Sequence, residues 1–352
     1  MTKVLIGGAG GAPSEGVIYS LLKVPNIEVV GMGADASDLQ ASMAPQKHLI
    51  PYSTDPTYRE ELRNLLLQER PDFIHFQNDL EIYEASKMRG TFDELGIKYL
   101  LPDHKVIDTC VHKWKTYLAF KSAGVCIPEN ILISSPKDLK KSFSELTKNK
   151  KSIWLRSAEI GGGGKGAVAT DNFEFAKNWI ERHRGWGHFI AAELLTNETI
   201  TWLSLWFEGE LVVAQTRQRS GWVHGNRTLS GVTGVTKIGI TTSSKQVDEI
   251  AQQSIYAVDD KPHGLYGVDM TFDFNGIPNP TEINIARFFT TIRFFTSAGL
   301  NMPELYVKTG MTGVIPALSS RINPLQNGLS WIRGMDREPI LTTISEMQSF
   351  YD

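Results

Sequence analysis

Short apolar runs recur through the first hundred residues, at 4–6, 27–30, 73–76 and 99–101. Between them, 56–68 (PTYREELRNLLLQ) and 81–95 place apolar residues three and four apart with charges between, the pattern of amphipathic helices. Strands alternating with such helices predict a parallel sheet with helices packed on it, a Rossmann-like first unit over 1–103. A helix is predicted over 104–124, stopped by Gly124 with Pro128 soon after. Strands at 131–133, 152–155 and 189–192, with helices at 136–146 and 172–183, make a small α+β module ending near 192. From 199 the alternation in TWLSLWFEGELVVAQT predicts an antiparallel hairpin turning at Glu208-Gly209-Glu210. A second hairpin, GLYGVDMTFDFNGIPNPTEINIA, turns at Asn275-Gly276, so 193–352 reads as a third unit of a mixed α/β and α+β chain. The last twenty residues show no interpretable pattern, and there is no internal repeat or low-complexity tract.

Composition narrows the function. With 352 residues, and roughly 150 per domain, two or three packed units are expected. Lys plus Arg number 36 against 39 for Asp plus Glu, a net charge of −3 with no basic block, which argues against a nucleic-acid partner. No apolar stretch approaches a membrane span. The opening run stops at Gly7, and Glu15 arrives before any cleavage-type segment, so it reads as a strand rather than an export signal. Cys110 and Cys126 show no C-x-x-C spacing and read as small core residues of a cytoplasmic protein; the eight scattered histidines suggest no zinc site.

Four clusters carry candidate chemistry. Gly7-Gly8-Ala9-Gly10-Gly11-Ala12-Pro13 follows a strand, but the dinucleotide fingerprint puts Pro13 where its third glycine should stand. A tight strand-to-helix turn is the favoured reading over nicotinamide or flavin binding. Arg156 ends a predicted strand and precedes Gly161-Gly162-Gly163-Gly164-Lys165-Gly166. Such a backbone can close over phosphate and offer N–H groups, with Lys165 adding charge; the alternative is a loose surface hairpin. Asp269 on one strand, with Glu282 and Asn284 alternating on the next, offers three hard oxygen ligands suited to Mg²⁺. Arg287 follows, placed to share the charge of a transferring phosphoryl group; solvated acids on a surface hairpin are the alternative. Arg217 and Arg219 share a strand face and suit a phosphate or a substrate carboxylate, or else a solvated strand edge. Trp202, Trp206 and Trp222 read as packing residues.

The order of these pieces resembles the ATP-grasp superfamily along nearly the whole chain. It runs from a Rossmann-like start through His112-Lys113-Trp114, a strand-end cation before a Gly-rich loop, and Glu193-Leu194-Leu195 with Glu198, to Asp269 and Glu282-x-Asn284-x-x-Arg287. Within it the chain looks most like the carbamoyl-phosphate synthase and biotin carboxylase branch. The resemblance implies a pre-ATP-grasp domain followed by a two-part ATP-grasp fold divided at 104–192 and 193–352. It implies an ADP-forming ligase that activates a small-molecule carboxylate as an acyl phosphate for attack by an amine. Lys113 and Arg156 would meet the α- and β-phosphates, and Gly161, Gly162, Gly163, Gly164 and Lys165 would close over the β- and γ-phosphates. Glu193 and Leu195 would bracket adenine, and Glu198 would hold the ribose. Asp269, Glu282 and Asn284 would bind Mg²⁺, with Mn²⁺ able to replace it, and Arg287, Arg217 and Arg219 would serve the reacting groups. A homodimer is common among the proteins resembled. The chain departs from the pattern at His112 and at Arg156-Ser157, where Asp and Lys-Pro are usual, and in having Asp269 for Glu; these changes point away from bicarbonate as the acid. Two other readings stand beside the ligase: an NAD(P)-dependent oxidoreductase using the first unit, and a non-catalytic ATP-binding regulator.

Overall fold

A computed structural model describes residues 1–147, 152–160, 166–223, 229, 235–334 and 340–348. The early apolar runs form β1 (Thr2–Ile6), β2 (Ile27–Gly33) and β4 (Phe73–His75), joined by the polar β3 (Gln46–Leu49) in a parallel sheet of order β3-β2-β1-β4. The strand expected at 99–101 is absent: beside it Phe73 makes only a single bridge, to Lys98. On this sheet lie α1 (Ala12–Leu22), α2 (Ala36–Ala41) and α3 (Tyr58–Glu69). The single helix expected over 81–95 is two, α4 (Asp79–Ser86) and α5 (Arg89–Glu94), because the buried Met88 leaves helical geometry at φ −101°, ψ 9°.

Glu81 and His75 are among the titratable groups buried in this unit. Glu81 of α4 is buried against Gly7, with Tyr58 Oη donating to its Oε1 at 3.2 Å and Oε2 unpartnered. Burial pushes its carboxyl up to about 7. His75 is buried between Tyr306 Oη, 3.2 Å from Nδ1, and Gln77 Oε1, 2.9 Å from Nε2. Burial lowers its pKa to about 4.

The helix expected over 104–124 is also two, α6 (His104–Val111) and α7 (Lys113–Ser122), parted by the extended backbone of His112. Next come β5 (Asn130–Ile133), β6 (Ile153–Ser157), β7 (Val168–Thr170) and β8 (Phe189–Glu193), an antiparallel sheet of order β5-β8-β6-β7. Against it pack α8 (Pro136–Leu146), capped by Ser135, and α9 (Phe173–Arg182), capped by Asn172. Ile133, Leu139, Ile153, Leu155, Ile180 and Phe189 form a core confined to this segment.

The remainder builds one seven-stranded antiparallel sheet of order β13-β12-β9-β10-β11-β14-β15. Its strands are β9 (Thr199–Phe207), β10 (Glu210–Trp222), β11 (Thr236–Thr242), β12 (Gly264–Phe272), β13 (Pro278–Ile285), β14 (Leu329–Ile332) and β15 (Ile340–Thr343). The two expected hairpins are present, and β15 lies in the tail that carried no pattern. Around the sheet lie α10 (Lys245–Tyr256), α11 (Ile292–Ser297) and α12 (Met302–Thr312), with α13 (Ile344–Gln348) after β15. Trp202 and Trp206 are buried as expected and share a core with Leu5, Val30 and Ile74 of the first sheet. Cys110 is buried, but Cys126 is exposed at the turn before β5, which corrects the expectation that both are core residues. No helix among the described residues is long and apolar enough to cross a membrane.

Candidate active site

Between β6–β8 and the strand pair β12–β13 lies a cavity of about 660 Å³. Strand register explains its polar wall. Asp269 on β12 stands opposite Glu282 on β13, and Gly267 opposite Asn284, so both carboxylates and the amide share one face. Past β13, Ala286 takes a left-handed conformation (φ 56°) and its N–H donates to Leu265 O at 2.8 Å. That turn returns Arg287 to the same wall, where its Nη2 donates to Asn284 Oδ1 and its Nε to Asp79 Oδ1 at 2.6 Å. Burial disfavours the Arg287 charge, but Asp79, Glu282 and Asp269 outweigh it and raise its pKa.

The break at His112 has a purpose on the facing wall. It puts Lys113 at the start of α7, where its N–H donates to Ala158 O at 3.0 Å and Nζ lies 3.7 Å from Glu282 Oε2. Arg156, on β6, donates through Nη2 to Thr281 O at 2.9 Å, with Nη1 4.0 Å from the same Glu282 oxygen. Burial lowers its pKa, with Glu282 opposing. Two cations thus converge on one carboxylate at loose distances, a grouping that an anion entering the cavity can share.

Asp269 is bound more tightly. Its Oδ1 accepts from Arg219 Nη2 at 2.6 Å and from Thr201 Oγ1, and its Oδ2 from Asn284 Nδ2 at 3.1 Å. Burial favours the protonated acid, but Arg219, Thr201 and Arg217 outweigh it and hold the pKa below the usual carboxylate value. Arg217 lies deeper, 1% exposed, its Nη1 donating to Thr291 at 2.7 Å and Thr236 at 3.3 Å and its Nη2 to Thr201 at 2.7 Å. Burial, then Arg219 and Arg333, lower its pKa well below the ordinary value. Trp154, Ala192, Leu195 and Met270 add apolar surface to the cavity wall, with Glu193 among them.

No family model and no curated protein sequence matches the chain. Solved structures do. It resembles N5-carboxyaminoimidazole synthetase from Staphylococcus aureus complexed with ADP, with TM-score 0.73 and 14% identity over 99% of this chain and 96% of that one. It resembles L-amino acid ligase from Bacillus licheniformis with TM-score 0.69 and 12% identity over 100% and 96% of the two chains. Biotin carboxylase from Campylobacter jejuni matches with TM-score 0.70 and 15% identity over 94% of this chain and 74% of that one. All are ATP-grasp enzymes. The chain has the ATP-grasp fold.

Within this ATP-grasp fold, Lys113, Arg156, Glu193, Leu195, Asp269, Glu282, Asn284, Arg287, Arg217 and Arg219 all line the one cavity. Glu198 does not: it is exposed at the entry to β9, and the wall there offers Asn197 instead. Gly161 to Lys165 lie outside the described residues. Trp222, expected as packing, is half-buried in the cavity wall with the Arg219 guanidinium 4.8 Å from its ring. Sequence reasoning missed Asp79, Thr201, Thr236 and Phe289. Asp79 follows the N-cap Asn78, which fixes where α4 starts; an acid in a helix's first turn ordinarily signals only the helix dipole.

The Gly-rich turn of the first unit is closed upon itself. Gly10 N–H donates to Glu15 Oε1 at 2.8 Å, Ala9 N–H to Met32 O at 2.9 Å, and Gly11 N–H to Gly8 O at 3.0 Å. Gly10 has φ 92°, and a Cβ there would overlap the Asp38 backbone, so glycine is required by the turn itself. Asp35, at the end of β2, caps α2 by accepting from Ser37 and Asp38 N–H.

Proposed function

We propose that this chain is an ATP-dependent, ADP-forming ligase that activates a carboxylate as an acyl phosphate for attack by an amine. The carrying observation is the convergence of Lys113 and Arg156 from one sheet with Asp269, Glu282, Asn284 and Arg287 from the other on a single cavity. The three sheets support three units, the first of them Rossmann-like, which we set at 1–103, 104–192 and 193–352, with α6 and α7 of the second packed on β13 of the third.

Adenine lies against the apolar surface of Trp154 and Met270, with Glu193 and Leu195 at its edge. The phosphates extend toward Lys113 and Arg156, which exchange their loose hold on Glu282 for phosphate oxygens. The donor set fits Mg²⁺. No cluster of three His, Cys, Asp or Glu exists among the described residues, but Mg²⁺ binds through one or two carboxylates plus substrate phosphates. Asp269 Oδ2 and Asn284 Oδ1 each accept one hydrogen bond and keep a lone pair for the metal, whereas Asp269 Oδ1 already accepts two. When bound, the metal would neutralise phosphate charge and orient the γ-phosphoryl group. Arg287, fixed by Asp79 and Asn284, faces the transferring group. A substrate carboxylate oxygen attacks the γ-phosphorus as its bond to the β-phosphate oxygen breaks, releasing ADP; the amine then adds to the acyl carbon and expels phosphate.

The closed Gly10 turn, with the Glu15 carboxylate lying where a pyrophosphate would sit, supports no nicotinamide site. The test is thermal stabilisation by Mg-ATP against NAD(H), followed by ADP release with pools of carboxylic acids and amines. Acid-dependent ADP release is expected. Nucleotide binding without release under any mixture would leave a non-catalytic regulator, and a shift with NAD(H) alone would overturn the assignment.

A further inference from the structure

Arg217 and Arg219 are surplus to the nucleotide. Lys113 and Arg156 share Glu282, and Arg287 is balanced by Asp79, so the phosphate end has its own cations and counter-charges. Arg217 has no carboxylate within ion-pair distance among the described residues: Asp269 acts on it only from farther off, and its Nη groups end on threonine hydroxyls. Burying a guanidinium without a counter-ion of its own in contact is expensive. Arg219, two residues along β10 and on the same face, takes Asp269 for itself. The Nε atoms of both arginines are buried without an acceptor among the described residues. Each guanidinium lies against an aromatic ring, Arg217 at 4.5 Å from Phe289 and Arg219 at 4.8 Å from Trp222. On β11, Gly239 leaves the space that Arg217 fills, since a Cβ there would stand 3.0 Å from Arg217 Cδ. The fold thus holds two cations against one carboxylate, rigidly, in the wall of the cavity that Arg287 also lines.

We propose that the acid substrate carries a second, non-reacting anionic group, and that Arg217 and Arg219 hold it while the carboxylate to be activated lies at Arg287. The inference rests on the ligase reading and narrows its substrate to a dicarboxylic acid or a carboxylic acid bearing a phosphate. Both satisfy the same chemistry. A planar anion meets guanidinium N–H groups in a directional way, and the Thr236 hydroxyl beside Arg217 supplements it. A monocarboxylate fills only one of the two stations and leaves Arg217 unbalanced.

The experiment is calorimetric titration of the full chain, saturated with Mg-ADP, using matched pairs: succinate with butyrate, glutarate with valerate, glutamate with glutamine, and phosphoglycolate with glycolate. At least one dianion is expected to bind about tenfold or more tightly than its monoanionic partner, the effect of one added charge-assisted contact. Which pair shows it separates a second carboxylate from a phosphate. Arg217→Met is expected to abolish that preference and leave ADP affinity unchanged, and Arg219→Gln gives the same reading if Arg217→Met does not fold. Equal binding within every pair overturns the inference. So does a loss of ADP affinity in Arg217→Met as large as the loss of dianion affinity, which would assign the arginine to the nucleotide. Failure to bind ADP at all overturns the ligase reading instead, whereas ADP binding without dianion preference overturns this inference alone.

Discussion

Glu81→Gln tests the interior of the first unit. The carboxyl lies beneath the Gly-rich turn with one oxygen on Tyr58 and the other unpartnered, and burial raises its pKa from 4.5 to about 7. The folded chain therefore holds this proton more tightly than the unfolded chain does. The stability so gained is complete below the unfolded pKa of 4.5 and is lost as pH rises through about 7. At about 1.4 kcal/mol per pH unit of displacement, the ionised carboxylate costs roughly 3 kcal/mol at about pH 8, a large share of a typical folding free energy. Glutamine keeps an oxygen for Tyr58 Oη and carries no charge. Urea unfolding followed by tryptophan fluorescence, from about pH 5 to 8, is the assay. The variant should gain on the wild type by roughly 2–3 kcal/mol across that range. A difference between the two proteins that stays constant with pH would refute a buried, proton-holding Glu81.

His75 works in the opposite direction. Its pKa falls from 6.5 to about 4, so the stability it contributes is present above 6.5 and is lost as pH drops toward 4; His75→Gln should flatten that acid limb in the same unfolding assay, and an unchanged slope would count against it. Asp79→Asn removes the charge that fixes Arg287, and should slow acid-dependent ADP release about tenfold or more, from a lost charge-assisted contact, with ATP affinity nearly unchanged; equal losses in both would place Asp79 in nucleotide binding. A thiol reagent should modify Cys126 alone in the native protein and both cysteines in urea, because Cys110 is buried and its thiol pKa raised by that burial; modification of both in the native state would show that the α6 region opens.

What the sequence revealed follows from where each constraint lies. The α8 helix starts and ends where expected because its signals are local: a Ser135 cap, Pro136 at the first position, and apolar residues on one face. Strand β3 was missed because a polar edge strand carries no period, and β15 because it is recognised only through its pairing with β14. The breaks at His112 and Met88 were illegible for another reason. The residues around them favour helix, and at His112 what accompanies the break is a tertiary contact, the Lys113 N–H on Ala158 O. In the site, Glu282 and Asn284 alternate on one strand and Asp269 is one hairpin away, so alternation places these three together, whereas Arg287 joins them only through the left-handed turn at Ala286. Asp79 lies 208 positions from its partner Arg287, and Thr201 sits among strand threonines that need no special reason to be there. Arg217 was found, but its burial was not, since a strand arginine reads as a charged edge.

The core of residues 131–191 is closed within itself, whereas the first sheet and the seven-stranded sheet share theirs. Amide hydrogen exchange should therefore resolve two cooperative units. Amides of β5, β6 and β8 should exchange together through an opening that leaves the rest folded, while those of β1, β9 and β12 await global unfolding. Because Arg156 belongs to the unit that opens and Glu282 to the one that does not, a ligand bridging them would lock the two together. Its footprint would be slowed exchange throughout the smaller sheet, including strands that never touch it.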